Sequence, residues 1–300
     1  MPDFGHGRLV VVGVGLIGGS LALALKHAGA MQSVVGVGRD RANLDAARSL
    51  GIADRIYGLN EPWTKELAAA DLVVLATPVG SMAGLFASIA PALGPKTLIT
   101  DVGSTKQDVI AAARMHLGAA LARFVPGHPI AGSERSGASA ASAALFRDRS
   151  VVLTPLAETD SDAVNQVAAW WARCGATVHF LDAARHDSIL AAVSHLPHVL
   201  AYALVADVAR RADGAEYLSY AGTGFRDFTR LAASEPAMWR DVCIANAAAL
   251  RRELTLYRGE LERIDALIAQ GDSAALLALF ERARAGREDW LVRQAEVDRG

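Results

Sequence analysis

Val10-Val11-Val12-Gly13-Val14-Gly15-Leu16-Ile17-Gly18-Gly19-Ser20 places a glycine-rich turn directly between a strand-like run and an apolar helical run. In a G-x-G-x-x-G turn so placed, Gly13 permits the tight bend, Gly15 lets a pyrophosphate approach the backbone, and Gly18 lets the helix lie close to the strand. Leu16 and Ile17 open the helix and join these glycines as expected cofactor contacts, since the amides of a first helical turn face the phosphates. A tight turn that binds nothing would share the spacing. The strand before it and the helix after it favour dinucleotide binding.

The pattern repeats outward from that turn. Between Arg8 and about Asp182, β-branched runs alternate with Ala-rich helical stretches: Leu9 to Val12, Ser33 to Val37, Leu72 to Ala76, Thr97 to Thr100, Ser150 to Thr154 and Thr177 to Phe180. Alternation of this kind predicts a parallel sheet with helices on both faces. Beyond Asp182 the strand-like runs stop and Ala, Leu and charged residues recur at helical spacing, so the chain divides into residues 1–182 and an all-helical part, 183–300. One helix is expected to begin at Ser234-Glu235-Pro236 and run to Gln270. Leu250, Leu254, Tyr257, Leu261, Ile264 and Ile268 form a seam along it that suits lengthwise packing on another helix, in the same chain or in a second subunit.

Composition narrows the function classes. The 300 residues are 52% hydrophobic and 21% charged, a balance that excludes extensive disorder. Thirty Lys and Arg against 32 Asp and Glu leave a net charge of −2, so no overall basic field recruits nucleic acid or an anionic membrane. The longest uncharged run, Leu9 to Leu25, is interrupted by glycines and is shorter than the ~20 apolar residues of a membrane span. Cys174 and Cys243 stand singly, without metal or disulfide spacing, and the N-terminus lacks signal-peptide features; the expectation is a cytoplasmic protein with no bound metal.

Several polar motifs fall at strand ends and helix starts. Val35-Gly36-Val37-Gly38-Arg39-Asp40 ends the second strand, where an NAD enzyme usually offers an acidic residue to the ribose hydroxyls and an arginine accommodates a 2′-phosphate. With Gly38 at the acidic position and Arg39 next to it, the loop favours NADP over NAD, although Asp40 could turn back to the ribose. Thr77-Pro78 and Ser104 follow the next two strands and are candidate contacts on the nicotinamide side, or helix caps. Phe124-Val125-Pro126-Gly127-His128-Pro129 holds His128 in a stiff turn, where an imidazole suits general-base work near neutral pH. In the helical half, Ser194-His195-Leu196-Pro197-His198 opens a helical run interrupted by proline. Gly222-Thr223-Gly224-Phe225-Arg226-Asp227-Phe228-Thr229-Arg230 brings two arginines suited to a bidentate grip on carboxylate.

Taken in order, the glycine turn, Asp101-Val102-Gly103-Ser104, Gly127-His128-Pro129-Ile130-Ala131-Gly132-Ser133-Glu134, Ser194-His195-Leu196-Pro197-His198, Phe225-Arg226-Asp227-Phe228-Thr229-Arg230 and Met238-Trp239 resemble the prephenate/arogenate dehydrogenase family of tyrosine biosynthesis. The resemblance covers nearly the whole chain. It implies a Rossmann domain followed by a helical dimerisation domain, and NAD(P)-dependent oxidative decarboxylation of prephenate to 4-hydroxyphenylpyruvate or of arogenate to tyrosine. It further implies that His128 takes the ring-hydroxyl proton, that Ser104 assists it, and that Arg230 binds substrate carboxylate. His195, Ser133, Glu134 and Trp239 fall on substrate-pocket positions. A cationic pocket made by Arg230 with His195 is expected for a dianionic substrate.

The chain shows no segment long enough for a mutase domain before the turn or an ACT domain after the helices, so fused activity and domain-mediated feedback are not expected. Inhibition by tyrosine at the active site stays open. Two other classes share part of the pattern. A related hydroxyacid or imine oxidoreductase would rely on a helical-domain lysine, and none occurs after Lys106. A non-catalytic NADP-sensing protein would have no use for His128 and Arg230.

Overall fold

A computed structural model describes residues 7–132 and 135–297. Its strands are β1 (Arg8–Val12), β2 (Ser33–Gly38), β3 (Arg55–Gly58), β4 (Leu72–Leu75), β5 (Leu98–Asp101), β6 (Phe124–Val125), β7 (Gly127–Pro129), β8 (Ser150–Leu153) and β9 (Thr177–Phe180). The first half carries helices α1 (Leu16–His27), α2 (Arg41–Ser49), α3 (Met82–Ile89), α4 (Gln107–His116) and α5 (Ser161–Arg173). The second carries α6 (Ala183–Leu190), α7 (Leu196–Ala209), α8 (Gly214–Ser219), α9 (Thr223–Thr229), α10 (Pro236–Ala245), α11 (Ala247–Gln270) and α12 (Ser273–Val297).

The first six strands form one parallel sheet in the order β3-β2-β1-β4-β5-β6. Leu9, Val10, Val11 and Val12 are fully buried because β1 is covered on both faces. Leu9 and Val11 pack with Leu21, Leu25 and Trp171 on one side, while Val10 and Val12 pack with Phe86, Ile99 and Phe124 on the other. Strand order reverses between β1 and β4, and a ligand crevice opens beyond their carboxyl ends at such a switch point.

The runs at Ser150 and Thr177 do not join this sheet as expected. They make a second one, β7-β8-β9, in which β8 is antiparallel to β7 and pairs His128 with Val152. Pro126 explains the switch: it has no amide proton to continue the β6 ladder, and its carbonyl instead accepts the Thr154 amide at 3.0 Å. His128 is thereby held on a short strand at the carboxyl end of the main sheet.

From Ala183 onward every regular element among the described residues is helical. α6 passes into α7 through a π-helical turn, Ala191–His195, so the run is continuous to Ala209 and the widened turn accommodates Pro197. By length and composition Ala183–Ala209 is apolar enough to cross a membrane. Its His186 and Asp187, however, are buried and hydrogen-bonded to β7 and α4, so this end of the run packs on the sheet-bearing part of the chain. The helix expected from Pro236 to Gln270 is broken at Asn246 into α10 and α11, leaving the latter about 36 Å long at 1.5 Å per residue.

The chain divides into two compact units, residues 1–247 and 248–300. The first holds both sheets and α1 to α10. In the second, Leu256, Leu261 and Ile268 of α11 and Leu277, Phe280 and Trp290 of α12 are exposed.

Candidate active site

The glycine turn meets the steric requirements of a dinucleotide cradle. Gly13 has φ +99°, and a Cβ there would lie 2.2 Å from the Ala76 carbonyl oxygen. A Cβ on Gly18 would meet Ala76 Cβ at 2.8 Å and Val11 Cγ1 at 2.9 Å, so only glycine allows α1 to pack on β1. At Gly15, in contrast, the Cβ direction is open, and no side chain caps the α1 amides. Space and uncapped donors fit a pyrophosphate at this turn. Thr77 and Pro78 follow β4 at the same crevice; Ser81 Oγ lies 2.8 Å from Thr77 Oγ1 and 2.7 Å from the Pro78 carbonyl oxygen.

The ribose end differs from the usual NAD arrangement. Asp40 turns away to cap α2, accepting the Ala42 amide at 2.9 Å. Gly38 contributes no carboxylate, and Arg39 is exposed. Asn43 ties this region to the chain that leaves β7: its Nδ2 donates to the Val14 carbonyl at 2.8 Å, and its Oδ1 accepts the Ala138 amide at 2.7 Å.

A buried ion pair anchors the other side of the crevice. Lys106 Nζ donates to Asp101 Oδ2 and, at 2.7 Å, to the Gly127 carbonyl; neither side chain is exposed. Asp101 also accepts the amides of Gly103, at 2.8 Å, and Gly127, at 3.2 Å. The pair thus fixes the turn that carries Ser104 and the strand that carries His128. Ser104 itself is half-buried.

Two further hydrogen bonds continue from His128. Its Nδ1 lies 2.8 Å from His186 Nε2, and His186 Nδ1 lies 2.8 Å from Asp187 Oδ1. Asp187 caps α4 from outside, accepting the Lys106 amide at 2.8 Å and the Gln107 amide at 2.9 Å. Burial opposes its ionisation, yet hydrogen bonds from His186 and these amides outweigh burial and hold its carboxyl below the usual range. His128 is driven the other way. Burial, with the cost of adding a positive charge near His186, Lys106 and His195, pushes its imidazole well below the usual histidine value, so it is neutral at pH 7.

His195 lies in the π-helical turn. Asn246, in the break between α10 and α11, donates through Nδ2 to the Asp187 carbonyl at 2.8 Å and lies 3.1 Å from His195 Nδ1. Because that amide nitrogen donates, Nδ1 accepts, and neutral His195 carries its proton on Nε2. Burial lowers its pKa to about 4 against the opposing pull of Asp187. His195 therefore offers an N–H donor, not the positive charge expected of it. Trp239 Nε1 is buried with no hydrogen-bond partner, while the His195 ring meets the Ser104 backbone. Trp239 stacks on His198 with ring centroids 3.5 Å apart, and its ring centroid is 6.0 Å from that of His195. Arg230 is exposed at the end of α9, close enough to disfavour the charge on His198. Ser133 and Glu134 lie outside the described residues.

His186, Asp187, Asn246 and the Lys106–Asp101 pair were not anticipated. The adjacent His-Asp pair at 186–187 is a local signal for the first two, but its partners lie 58 and 81 residues away along the chain.

A neutral base at the carboxyl end of a nucleotide-binding sheet suits a substrate that loses a proton as it loses hydride, and the fold and site together define a pyridine-nucleotide-dependent dehydrogenase. Residues 21–180 match the family model described as prephenate dehydrogenase, nucleotide-binding domain, and residues 182–282 match that of the prephenate dehydrogenase dimerization domain. The chain belongs to the prephenate dehydrogenase family. It is 36% identical to a cyclohexadienyl dehydrogenase of Zymomonas mobilis over 96% of each chain. Prephenate dehydrogenase from A. aeolicus, solved with hydroxyphenyl propionate and NAD+, superposes with a TM-score of 0.88 at 30% identity, over 94% of this chain and 98% of that one. Synechocystis arogenate dehydrogenase gives 0.77 at 28% identity, over 94% and 99%.

Proposed function

We propose that this enzyme oxidatively decarboxylates prephenate or arogenate in tyrosine biosynthesis, with NADP preferred. The observation that carries the reading is His128, whose burial and contact with His186 hold its imidazole neutral at the carboxyl end of the sheet. Its Nε2 takes the proton of the ring hydroxyl. The electron pair released forms the C=O bond as hydride leaves that carbon; loss of the ring carboxylate as carbon dioxide then makes the ring aromatic and returns the electron pair to the oxygen, which takes the proton back from His128. The nicotinamide, when bound, accepts the hydride. Aromatisation drives the reaction, so the protein mainly orients and deprotonates. His195 Nε2 and Trp239 Nε1 supply donors to substrate oxygens, and Arg230 grips a carboxylate. Ser104 assists His128 in this reading, and the family pattern gives Ser133 and Glu134 substrate-contacting roles.

The test is incubation of the purified protein with prephenate or arogenate and either nucleotide, following absorbance of the reduced nicotinamide. Turnover of one substrate with NADP is expected; reduction with neither substrate overturns the reading. Replacing Arg230 by alanine is expected to weaken substrate binding by ~2–5 kcal/mol, provided the carboxylate is desolvated in the complex. Unchanged KM and kcat would move that role to Arg226.

Cofactor choice rests on the engaged Asp40 and the exposed Arg39. Arg39→Ala is expected to cost about tenfold in NADP affinity, the worth of one charge-assisted hydrogen bond, and to leave NAD nearly unchanged. A wild-type enzyme that uses NAD at least tenfold better by kcat/KM would overturn this preference. The exposed apolar residues of α11 and α12 support a homodimer through the helical half, and sedimentation at micromolar concentration should give twice the chain mass. A monomer there would contradict it.

A further inference from the structure

We infer that His186 and Asp187 are positioning residues that set the tautomer of His128 and stabilise it once protonated. The inference rests on His128 being the base. Asp187 is ionised and can only accept, so the bridging proton in the 2.8 Å contact to His186 sits on His186 Nδ1. With its one proton on Nδ1, His186 has a lone pair on Nε2. In the next 2.8 Å contact it must accept, which places the His128 proton on Nδ1 and leaves His128 Nε2 unprotonated. A free imidazole is under no such constraint. Here the tautomer follows from a chain of donors and acceptors that ends at the N-terminus of α4, where the Lys106 and Gln107 amides hold the carboxylate in place.

The same chain answers for the charge. When His128 Nε2 takes the hydroxyl proton, the imidazolium keeps its Nδ1–H on His186, and Asp187 lies one ring further on. No proton transfer along the relay is needed: the added proton stays on Nε2 until it returns to the same oxygen, which decarboxylation makes a phenolate. The titratable groups bearing on the pair are Asp187 of α6, the neutral His195 of the π-helical turn, Lys106 at the start of α4 and Asp101 at the end of β5.

The tautomer is read directly by nitrogen NMR of the wild-type protein labelled with ¹⁵N-histidine, each signal assigned by its loss in a single-histidine variant. At neutral pH, His128 and His186 should both be protonated at Nδ1 and bare at Nε2. A proton on His128 Nε2 overturns the inference, whether or not the enzyme turns over prephenate, so failure of the proposed reaction and failure of the relay are told apart. His186→Gln tests the electrostatic part. Its Oε1 can accept the His128 proton but has no link to Asp187. We expect kcat to fall at least tenfold with KM within about twofold. A loss of packing alone would raise KM along with the fall in kcat. A kcat that falls less than tenfold, or a KM that rises with it, overturns the electrostatic role.

Discussion

Replacing His128 with asparagine is expected to lower kcat by ~10²–10⁴, the usual contribution of a positioned general base, while leaving nucleotide affinity within about twofold. Asparagine can place an N–H where Nδ1 was, so the link to His186 survives and only the basic nitrogen is lost. A variant of near wild-type rate would remove His128 from the chemistry. The pH profile gives an independent check with a definite sign. Burial first, then the cost of adding a positive charge near His186, Lys106 and His195, lower the histidine pKa, and a base works only when unprotonated. Activity should therefore hold through neutral pH and fall as pH drops through a value below 6.5. An acid limb above pH 7 would mean that some other group supplies the base.

Lys106→Met is expected to destabilise the protein by ~3–5 kcal/mol, with a fall of roughly 10 °C in Tm. The methionine packs well enough in place of the aliphatic stem; the damage is done to Asp101. With no exposure at either side chain, removal of the ammonium leaves an unpaired buried carboxylate. The Gly127 carbonyl also loses its donor. Adding Asp101→Asn should return part of the loss, since it removes the uncompensated charge, and the double variant separates charge from volume. Activity should suffer in the single variant, because this pair ties the Gly103 amide to the strand that carries His128. A loss of stability below about 1 kcal/mol would show that solvent reaches Asp101 more easily than its burial indicates.

Much of the site was legible in the chain because its signals are local. The roles assigned to Gly13 and Gly18 depend on atoms a few residues away or on the neighbouring strand, and each glycine stands where a Cβ would collide. His128 stood out through its stiff Gly-Pro flanks. The Pro236 helix was anticipated, but its break at Asn246 was not, since nothing in helical periodicity distinguishes a residue that leaves the helix to bond His195 and Asp187. The runs at Ser150 and Thr177 are correct as strands. Their sheet was misassigned because period and propensity say that a segment pairs, not with which edge it pairs.

Sequence by itself determined the class of fold and the cofactor turn: hydrophobic period, β-branched runs and glycine placement act over a few residues and need no distant partner. Tertiary structure decided which histidine nitrogen is bare, that His195 is neutral and that Asp40 caps a helix. A charge state is set by burial and by the groups packed around it, and here those groups come from segments 51 to 81 residues apart.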